Sequence, residues 1–457
     1  MVAWAGFNVS ASPLPAHQPG TGAVIGMIPF GDYLVYVTSD RKFSVLKPGL
    51  LKQGLSYYKN GELAGDGRPS MIATRRMLLA AGGAQIQKWG GNPNIDTERL
   101  QNVGNGVDPA PSYPPPDASF ISAIAQRLIA QPRDASGTIY WSGSLEGYEN
   151  WDFGLGGASY IQAAAKPDSL VAIFDNTNEV FAFGNETIQV FTPAALQVDV
   201  NDPDVLLDFA PSRTQNIGTI SPYSIVPVDD NFMMLDRQRR FITTDARSYT
   251  DDSRQVAQIL RDLERIDDCW GFRMRFGRFD CVVWFFPTDG FGLVYDKQTG
   301  KWSEWRMGGV AEGPITITSA CNWAERGIFL VGTSDGQILQ LDELSETDNG
   351  EPIKAEIISG FTDHGSTSQK HCKTLLLKFK RTFPPAMAGS GHVRLWTRSD
   401  QGTWRFIKDV ELSSSKSPCI QLRSLGVYRT RQWKLEYTGQ DEIQLVSAQE
   451  EFEVLGA

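Results

Sequence analysis

Residues 281–305 read CVVWFFPTDGFGLVYDKQTGKWSEW, which is three short apolar or alternating segments separated by two turns. The first turn is Pro-Thr-Asp-Gly at 287–290, and the second is Asp-Lys-Gln-Thr-Gly at 296–300. Alternation with a period of two is typical of a half-buried strand, and Asp, Gly and Pro favour turns between antiparallel strands. This stretch therefore predicts three consecutive antiparallel strands.

The same arrangement recurs along most of the chain. Further hairpins are predicted around polar turns such as 175–178 and 236–239. Their apolar cores have a mean separation of about 49 residues, close to the period of β-propellers, in which each repeat is a sheet of several strands. The segments concerned are 30–46, 77–89, 119–141, 170–191, 232–243, 281–305 and 328–341.

This repeat predicts an all-β fold with a β-propeller of six or seven blades over residues 23–345. The repeat is structural, since the units share no strict sequence motif. The alternative is one large sandwich, but so many short strands would overfill two sheets. Radial repetition also protects the edges of each sheet, so we favour the propeller.

Residues 119–141 allow two interpretations. They suit three short strands, although the first half also suits a helix capped by Asp117. Pro132 and Gly137 would interrupt any longer helix, and we therefore expect strands.

Residues 251–266 have the spacing of an amphipathic helix. Asp251, Asp252 and Ser253 are favourable N-caps. Because the segment lies between two predicted hairpins, we expect the helix to pack on the outside of the propeller or against a neighbouring subunit. Its apolar residues follow at i, i+3, i+4 and i+7 spacing: Val256, Ile259, Leu260, Leu263 and Ile266.

The rest of the chain is divided by composition. Residues 1–22 and the proline-rich segment 108–117 are expected to be extended, and 346–352 is predicted to be a linker. Residues 353–457 predict a small C-terminal β-sandwich or barrel domain. Its expected strands are 353–358, 374–380, 392–397, 403–410, 432–437 and 443–446. The irregular connectors 90–117 and 191–218 are candidates for contacts with neighbouring subunits.

The charge balance is acidic, with 43 Lys and Arg against 53 Asp and Glu, a net charge of −10 and a pI of about 5.1. Binding of nucleic acid through counterion release needs clustered Lys and Arg, so this class of function is disfavoured. An acidic wall would instead let DNA slide past without binding. No apolar run approaches the ~18–20 residues of a membrane-spanning helix, and residues 1–22 lack the features of a secretory signal, so we expect neither.

Residues with metal-binding or catalytic chemistry are few and scattered. The five cysteines form no CxxC pair, and we expect buried free thiols in a reducing cytoplasm. His364 and His371 are expected to be solvated loop residues, because they lack the spacing of metal ligands. The sequence contains no GxSxG, Walker A, GxGxxG or HExxH pattern, and its acidic pairs suit turns and caps. It therefore predicts no catalytic, cofactor-binding or metal-binding residue.

Two other functions of a propeller remain open from the residues alone. A glycan-binding or glycan-degrading propeller often carries Asp-box turns, and residues 399–404 approximate one but are one residue short. A glycosidase also needs two carboxyl groups about 5–9 Å apart. The plentiful aromatic residues mostly alternate within strands, which favours core positions over a glycan platform. The other alternative is a cellular scaffold propeller, a stable monomer that binds peptides.

The chain contains TIYWS at 138–142, ENWD at 149–152, LVAIF at 170–174 and FGNETIQVF at 183–191. These segments resemble the packaged-DNA stabilisation proteins, which are the tail hub or nozzle proteins of short-tailed phages. VYDKQTGKWSEW at 294–305 is also similar to a hairpin common in that family. The likeness runs in order from roughly residue 20 to residue 345 and is strongest in 137–191, whereas the C-terminal domain carries no matching motif.

The resemblance implies a β-propeller subunit, six copies of which form a homo-hexameric ring below the portal and its head-to-tail adaptor proteins. The ring would continue the DNA channel without sequence-specific binding and retain the packaged genome. It would also dock the tail needle or plug and the tailspikes or tail fibres. The expected protein is a structural, non-enzymatic component of the virion tail, assembled in the host bacterial cytoplasm, with no cofactor and no membrane span.

Overall fold

The chain forms two compact units. The propeller unit comprises Ala3–Met307 and Pro314–Leu341, and the C-terminal unit comprises Met1–Val2, Gly308–Gly313 and Asp342–Ala457. The computed structural model describes residues 2–3, 22–48, 55–92, 97–100, 114–124, 126–134, 136–143, 148–152, 157–163, 166, 168–176, 178–198, 206–276, 279–305, 316–341, 347–348, 351–381, 391–400, 402–412, 417–439 and 443–455.

Seven four-stranded sheets follow one another in the part of the propeller unit that the structure describes. The chain begins with β1 (Val2–Ala3), which lies at one edge of sheet 7. Sheet 1 contains β2 (Val24–Phe30), β3 (Tyr33–Thr38), β4 (Lys42–Pro48) and β5 (Leu55–Glu62). Sheet 2 contains β6 (Ser70–Ala73), β7 (Leu78–Ala81), β8 (Gln87–Trp89) and β9 (Glu98–Arg99). Sheet 3 contains β10 (Ala118–Ile124), β11 (Arg127–Pro132), β12 (Thr138–Trp141) and β13 (Ser159–Gln162).

The remaining sheets have the same up-and-down order. Sheet 4 contains β14 (Leu170–Asn176), β15 (Glu179–Gly184), β16 (Ile188–Val198) and β17 (Leu206–Gln215). Sheet 5 contains β18 (Val226–Val228), β19 (Asn231–Leu235), β20 (Phe241–Thr244) and β21 (Tyr249–Asp251). Sheet 6 contains β22 (Trp270–Phe276), β23 (Phe279–Phe286), β24 (Phe291–Asp296) and β25 (Lys301–Trp305). Sheet 7 contains β26 (Ile317–Trp323), β27 (Ile328–Thr333) and β28 (Ile338–Leu341) together with β1.

The first strand of one sheet lies beside the first strand of the next. The Ile121 N–H donates to Ser70 Oγ at 3.1 Å, which links sheets 2 and 3. The Ser319 hydroxyl donates to the Val24 carbonyl at 2.6 Å, which links sheet 7 back to sheet 1. The series is therefore closed, and the fold is a β-propeller followed by a smaller all-β unit, as the sequence predicted.

Apolar clusters fill the spaces between neighbouring sheets. One cluster joins sheets 1 and 2 around Val35, Phe43 and Trp89, and another joins sheets 5 and 6 around Phe241 and Trp284. These side chains come from the alternating strands that the sequence identified. Burial of both faces of a sheet explains why these strands contain nearly continuous apolar runs.

The predicted strands of residues 119–141 are confirmed. They correspond to β10, β11 and β12, which pair in antiparallel order. The helical alternative for the first half is wrong, because its apolar residues alternate between two buried sheet faces.

The predicted helix at 251–266 is much shorter than expected. Helix α1 spans only Ala257–Asp262, and Asp251 belongs to β21. The carboxylate of Asp251 accepts the Ser253 N–H at 2.9 Å, so it closes a turn instead of capping the helix. Leu263, with φ −59° and ψ 137°, ends the helix.

The apolar residues of this segment pack against the propeller sheets. Val256, Leu260, Leu263 and Ile266 are buried in the cluster between sheets 5 and 6, whereas Ile259 is 37% exposed. The segment therefore completes the core of the propeller unit.

The connector predicted at 191–218 is largely a regular hairpin. Strands β16 and β17 pair from Ile188 opposite Gln215 to Val198 opposite Leu206, with two irregularities. Pro193 and Pro211 weaken the strand pattern in the sequence, and both lie at these irregularities. Residues 199–205, most of 1–22, and 93–96 and 101–113 of the other connector lie outside the described residues.

The C-terminal unit is a two-sheet sandwich. Its strands are β29 (Thr347–Asp348), β30 (Glu351–Ile358), β31 (Lys370–Arg381), β32 (His392–Ser399), β33 (Arg405–Glu411), β34 (Cys419–Arg423), β35 (Val427–Tyr428), β36 (Arg431–Gly439) and β37 (Ile443–Val454). One sheet has the order β29-β30-β36-β32-β33, and in the other β31 pairs with β34, β35 and β37. Leu375 and Leu377 of one sheet meet Val393, Leu395 and Leu435 of the other in a shared core.

Candidate functional site

A glycine-rich loop carries Arg68 to the inner edge of the propeller. The loop runs AGDGR at 64–68 and leads into β6. Gly65 has φ +89°, and a Cβ there would lie 2.2 Å from the Gly82 carbonyl oxygen. Arg41 fixes the same loop, because its guanidinium donates to the carbonyls of Gly67 at 2.6 Å and Ala64 at 3.2 Å.

Arg68 reaches residues from three distant sheets. Its guanidinium carbon lies 4.3 Å from the ring centroid of Trp270 in β22 and 5.4 Å from that of Tyr223, which precedes β18. Its Nη2 donates to the Thr318 carbonyl of β26 at 2.5 Å. The Tyr223 hydroxyl donates back to the Arg68 carbonyl at 3.0 Å. We call Arg68, Tyr223, Trp270 and Thr318 the axial cluster.

The axial cluster fills the centre of the propeller. Its members come from the loop before sheet 2 and from the starts of sheets 5, 6 and 7. Sheet 3 joins them through Phe120, whose ring centroid is 5.2 Å from that of Tyr223. Side chains from opposite sides of a closed ring can meet only across its axis. The axis of this propeller is therefore occupied by protein.

Burial and neighbouring charges have opposing effects on the pKa values of Arg68 and Tyr223 in the axial cluster. Burial lowers the pKa of Arg68 to about 10, and the neighbouring Tyr223 and Cys269 partly oppose this shift. Burial raises the pKa of Tyr223 to about 12, although Arg68 and Arg41 oppose that shift. At neutral pH the guanidinium is therefore charged and the phenol is neutral.

The geometry of this loop predicts that Gly65 does not tolerate substitution. We expect Gly65→Ala to lower the free energy of unfolding by about 3 kcal/mol or more, because a left-handed backbone and a steric clash combine. Gly31→Ala is the matched control, since Gly31 has φ +58° but open space around it, and we expect about 1–2 kcal/mol. Urea unfolding of both variants measures the difference. Equal losses would mean that the loop can move away from Gly82 without penalty.

A polar cleft of about 740 Å³ lies between sheets 4 and 5. Within it, Arg213 donates to Glu179 through two nitrogens, at 2.5 and 2.8 Å, and to the Asp245 carbonyl at 3.0 Å. The cleft is lined by Asn176, Asn178, Glu179, Thr192, Pro193, Arg213, Asp230, Asn231, Asp245 and Arg247.

The carboxyl groups of this cleft do not suit glycoside hydrolysis. The hydrogen bonds from Arg213 lower the pKa of Glu179, and the backbone N–H of Ser248 is the main cause of a lowered pKa at Asp245. A glycosidase needs one carboxyl group whose pKa is raised, so that it can donate a proton. Among the described residues, every carboxyl group whose pKa departs clearly from its ordinary value has a lowered pKa. Glu179 and Asp245 therefore lack the raised pKa that a proton donor needs.

A second charged group links sheets 5 and 6. Asp229 contacts Arg273 at 2.8 Å, Arg275 at 3.0 Å and Lys297 at 2.6 Å, and Asp280 contacts Arg273 at 2.7 Å. Hydrogen bonds from Lys297 and Arg273 lower the pKa of Asp229 to about 2. Every carboxylate here has a basic partner, which indicates a structural link.

The cysteines and histidines do not form a site. In the described part of the chain, no group of three or more His, Cys, Asp or Glu side chains could hold a metal ion. His364 lies in an exposed loop, but its ring stacks on Phe452 with centroids 4.4 Å apart. His371 lies in β31, so its prediction as a loop residue is wrong. Cys269, Cys281, Cys321 and Cys372 are buried, whereas Cys419 is exposed, contrary to expectation.

The near Asp-box at 399–404 has a structural role. The Asp400 carboxylate accepts the backbone N–H groups of Arg429 and Thr430, at 3.0 and 2.8 Å. It therefore ties the turn after β32 to the residues before β36. Among the described residues, no helix is long and apolar enough to span a membrane.

The geometry defines a β-propeller with an occupied axis and paired surface charges. Residues 39–247 match the family model of phage stabilisation proteins, described as bacteriophage P22 Gp10, beta-propeller. This match covers the second half of sheet 1, sheets 2–4 and most of sheet 5. It supports a phage stabilisation family, a structural role in a phage tail and a location in the virion. A structural family of this kind suggests a non-enzymatic role.

Solved structures with some likeness include three other proteins. The computationally designed Ika8 protein has a TM-score of 0.38 and 11% identity, over 70% of this chain and 96% of that chain. Kluyveromyces lactis Hsv2 has a TM-score of 0.30 and 10% identity, over 62% of this chain and 98% of that chain. BBS1N in complex with ARL6DN has a TM-score of 0.41 and 13% identity, over 71% of this chain and 93% of that chain. Scores this low add nothing to the assignment. No curated protein matches the chain.

Proposed function

We propose that this chain is the tail hub, or nozzle, protein of a short-tailed phage. Six copies form a ring below the portal and its adaptor proteins, continue the DNA channel and retain the packaged genome. The ring docks the tail needle or plug and the tailspikes or fibres. The propeller occupies residues 23–345 and has seven blades, and residues 353–457 form the second domain. The observation that carries this proposal is the family match over residues 39–247.

The axial cluster supports a channel between subunits. Arg68, Tyr223 and Trp270 meet across the axis of the propeller, so a duplex has no path through a single chain. DNA must therefore pass through a hole enclosed by several propellers. A net charge of −10 per chain suits a wall past which phosphates slide without binding.

Native mass spectrometry of the purified chain mixed with a portal–adaptor complex tests the proposal. We expect six copies to bind one portal–adaptor complex, which is the number that the resemblance to the hub family implies. The chain alone is the control, which shows whether the ring needs the portal–adaptor complex in order to form. A chain that stays monomeric and ignores the portal–adaptor complex would contradict the proposal. Hydrolysis of a polysaccharide panel by the isolated chain would favour the glycan-degrading alternative.

A further inference from the structure

The Arg68 guanidinium has more N–H donors than it has hydrogen-bond acceptors among the described residues. A guanidinium presents five N–H donors, and among the described residues its acceptor is the Thr318 carbonyl. The faces of Trp270 and Tyr223 cover other parts of the group. Ring faces attract a cation but do not replace a charged acceptor. Arg68 as a residue is partly rather than fully buried.

A second donor lies in the same place. Trp270 is 3% exposed, and its Nε1 has no hydrogen-bond partner among the described residues. A buried N–H without an acceptor is unfavourable by about 1–3 kcal/mol and calls for an explanation, such as a bound ion. The ring that carries this N–H is the ring that the Arg68 guanidinium covers. Two incompletely satisfied donors therefore belong to neighbouring side chains of the axial cluster.

A second arginine, Arg41, lies near the axial cluster, together with the carboxylates of Asp66 and Asp268. Arg41 lies close enough to lower the pKa of Tyr223, as Arg68 also does. The Arg41 guanidinium itself donates hydrogen bonds only to main-chain carbonyls among the described residues. The nearby carboxylate of Asp66 pairs with Arg133 at 2.9 Å. Cys269 is buried, and burial raises the pKa of its thiol, so it supplies no negative charge. An uncompensated buried cation is unfavourable unless an anion joins it.

We propose that the axial cluster binds a small oxyanion, which accepts hydrogen bonds from the Arg68 guanidinium and from Trp270 Nε1. Phosphate and carboxylate share this acceptor chemistry, and both suit the planar fork of arginine. The site is independent of the proposed role as a tail hub. It would give the axis a specific ligand in a chain whose net charge otherwise repels anions.

Isothermal titration calorimetry with inorganic phosphate and, separately, acetate tests this site at constant ionic strength. We expect saturable binding of at least one of the two to the full chain, and the tighter of them identifies the oxyanion class. Arg68→Gln should weaken binding by about tenfold or more, because it removes a charge-assisted hydrogen bond. Arg237→Gln is the matched control, since Arg237 is an exposed arginine that pairs with Glu186 at 2.8 Å, and binding should stay unchanged.

Trp270→Phe keeps the proposal testable if Arg68→Gln fails to fold. This substitution keeps a ring under Arg68 but removes the N–H donor, so we expect binding to weaken by about threefold to tenfold. Binding of neither anion to the full chain would overturn the proposal. Equal binding by the wild type and by Trp270→Phe or Arg68→Gln would also overturn it, because the anion would then lie elsewhere.

Discussion

Replacement of Trp284 by alanine is expected to lower the free energy of unfolding by about 3–5 kcal/mol, the range for emptying a buried aromatic site. Trp284 is 0% exposed between sheets 5 and 6. Its ring centroid lies 4.2 Å from that of Phe241 and 5.7 Å from that of Trp302. Its Nε1 donates to the Ser224 carbonyl at 2.8 Å, so alanine would also leave a buried acceptor without its donor.

The same side chain connects the core to the axial cluster, because Ser224 follows Tyr223 directly. Trp284→Phe separates the two contributions, since it keeps most of the apolar contact and removes the hydrogen bond; we expect a loss of about 1–3 kcal/mol. Trp305→Ala is the matched control on the same sheet. Trp305 is only half-buried, and we expect a loss of about 1 kcal/mol.

Urea unfolding followed by circular dichroism measures these losses in the free energy of unfolding. Hydrogen exchange locates them: amide protection should fall more in sheets 5 and 6, which include β23 and β24, than in sheets 1 and 2. A loss for Trp284→Ala no greater than that for Trp305→Ala would mean that neighbouring sheets collapse into the cavity.

The sequence predicts the central strands well because both faces of those strands are buried. The strands at residues 33–37, 180–183 and 281–286 correspond to parts of β3, β15 and β23. Some of the strands that it missed are short and exposed, so they carry no alternation. Thus β21 is exposed along its whole length, and β9 has two exposed residues. Such strands form because a neighbouring strand offers its free backbone groups.

The sequence does contain one repeated turn that could have been recognised. Thr-Ser-Asp occurs at 38–40 and again at 333–335, in each case between the second and third strands of a sheet. In both turns the threonine hydroxyl donates to the carboxylate of the aspartate. The two copies belong to sheets 1 and 7, which lie next to each other in the closed propeller. The repeat is therefore partly a sequence repeat.

The axial cluster could not be predicted from the sequence. Arg68 meets Thr318 across 250 positions and Tyr223 across 155 positions. No local period or spacing connects these residues, because their proximity depends on closure of the whole ring. The glycines at 65 and 67 predict only a tight turn before β6. The residues that face the axis can be identified only from the three-dimensional arrangement of the sheets.

A second large effect is expected in the C-terminal unit, where Arg431→Leu should lower the free energy of unfolding by about 3–5 kcal/mol. Arg431 is 1% exposed, and its Nη1 lies 3.4 Å from the carboxylate of Glu450, whose side chain is 7% exposed. Its Nη2 donates to the Leu425 carbonyl at 2.9 Å. Its guanidinium carbon lies 3.8 Å from the ring centroid of Tyr428. Leucine would fill part of the volume but leave Glu450 as a buried charge without its cation.

Arg394→Leu is the matched control for this substitution. Arg394 pairs with Asp409 at 3.1 Å, but its side chain is 56% exposed, so we expect a loss below about 1 kcal/mol. Hydrogen exchange of β31 and β37 locates the loss within the C-terminal unit. Equal losses for the two leucine variants would show that solvent or a neighbouring group compensates the charge of Glu450.

The same pair predicts how acid affects the C-terminal unit. Burial acts to raise the pKa of Glu450, but hydrogen bonds from Tyr428 and Trp433 and the charge of Arg431 outweigh it, so the pKa lies below the ordinary value of 4.5. A lowered pKa means that the ionised form stabilises the fold. This stabilisation is complete above pH 4.5 and is lost as the pH falls through the lower folded value. Glu450→Gln should therefore be less stable than the wild type at pH 7, and the difference should shrink on acidification. A difference that stays constant between pH 7 and pH 3 would show that the charge of Glu450 does not stabilise the fold, because protonation would then remove nothing.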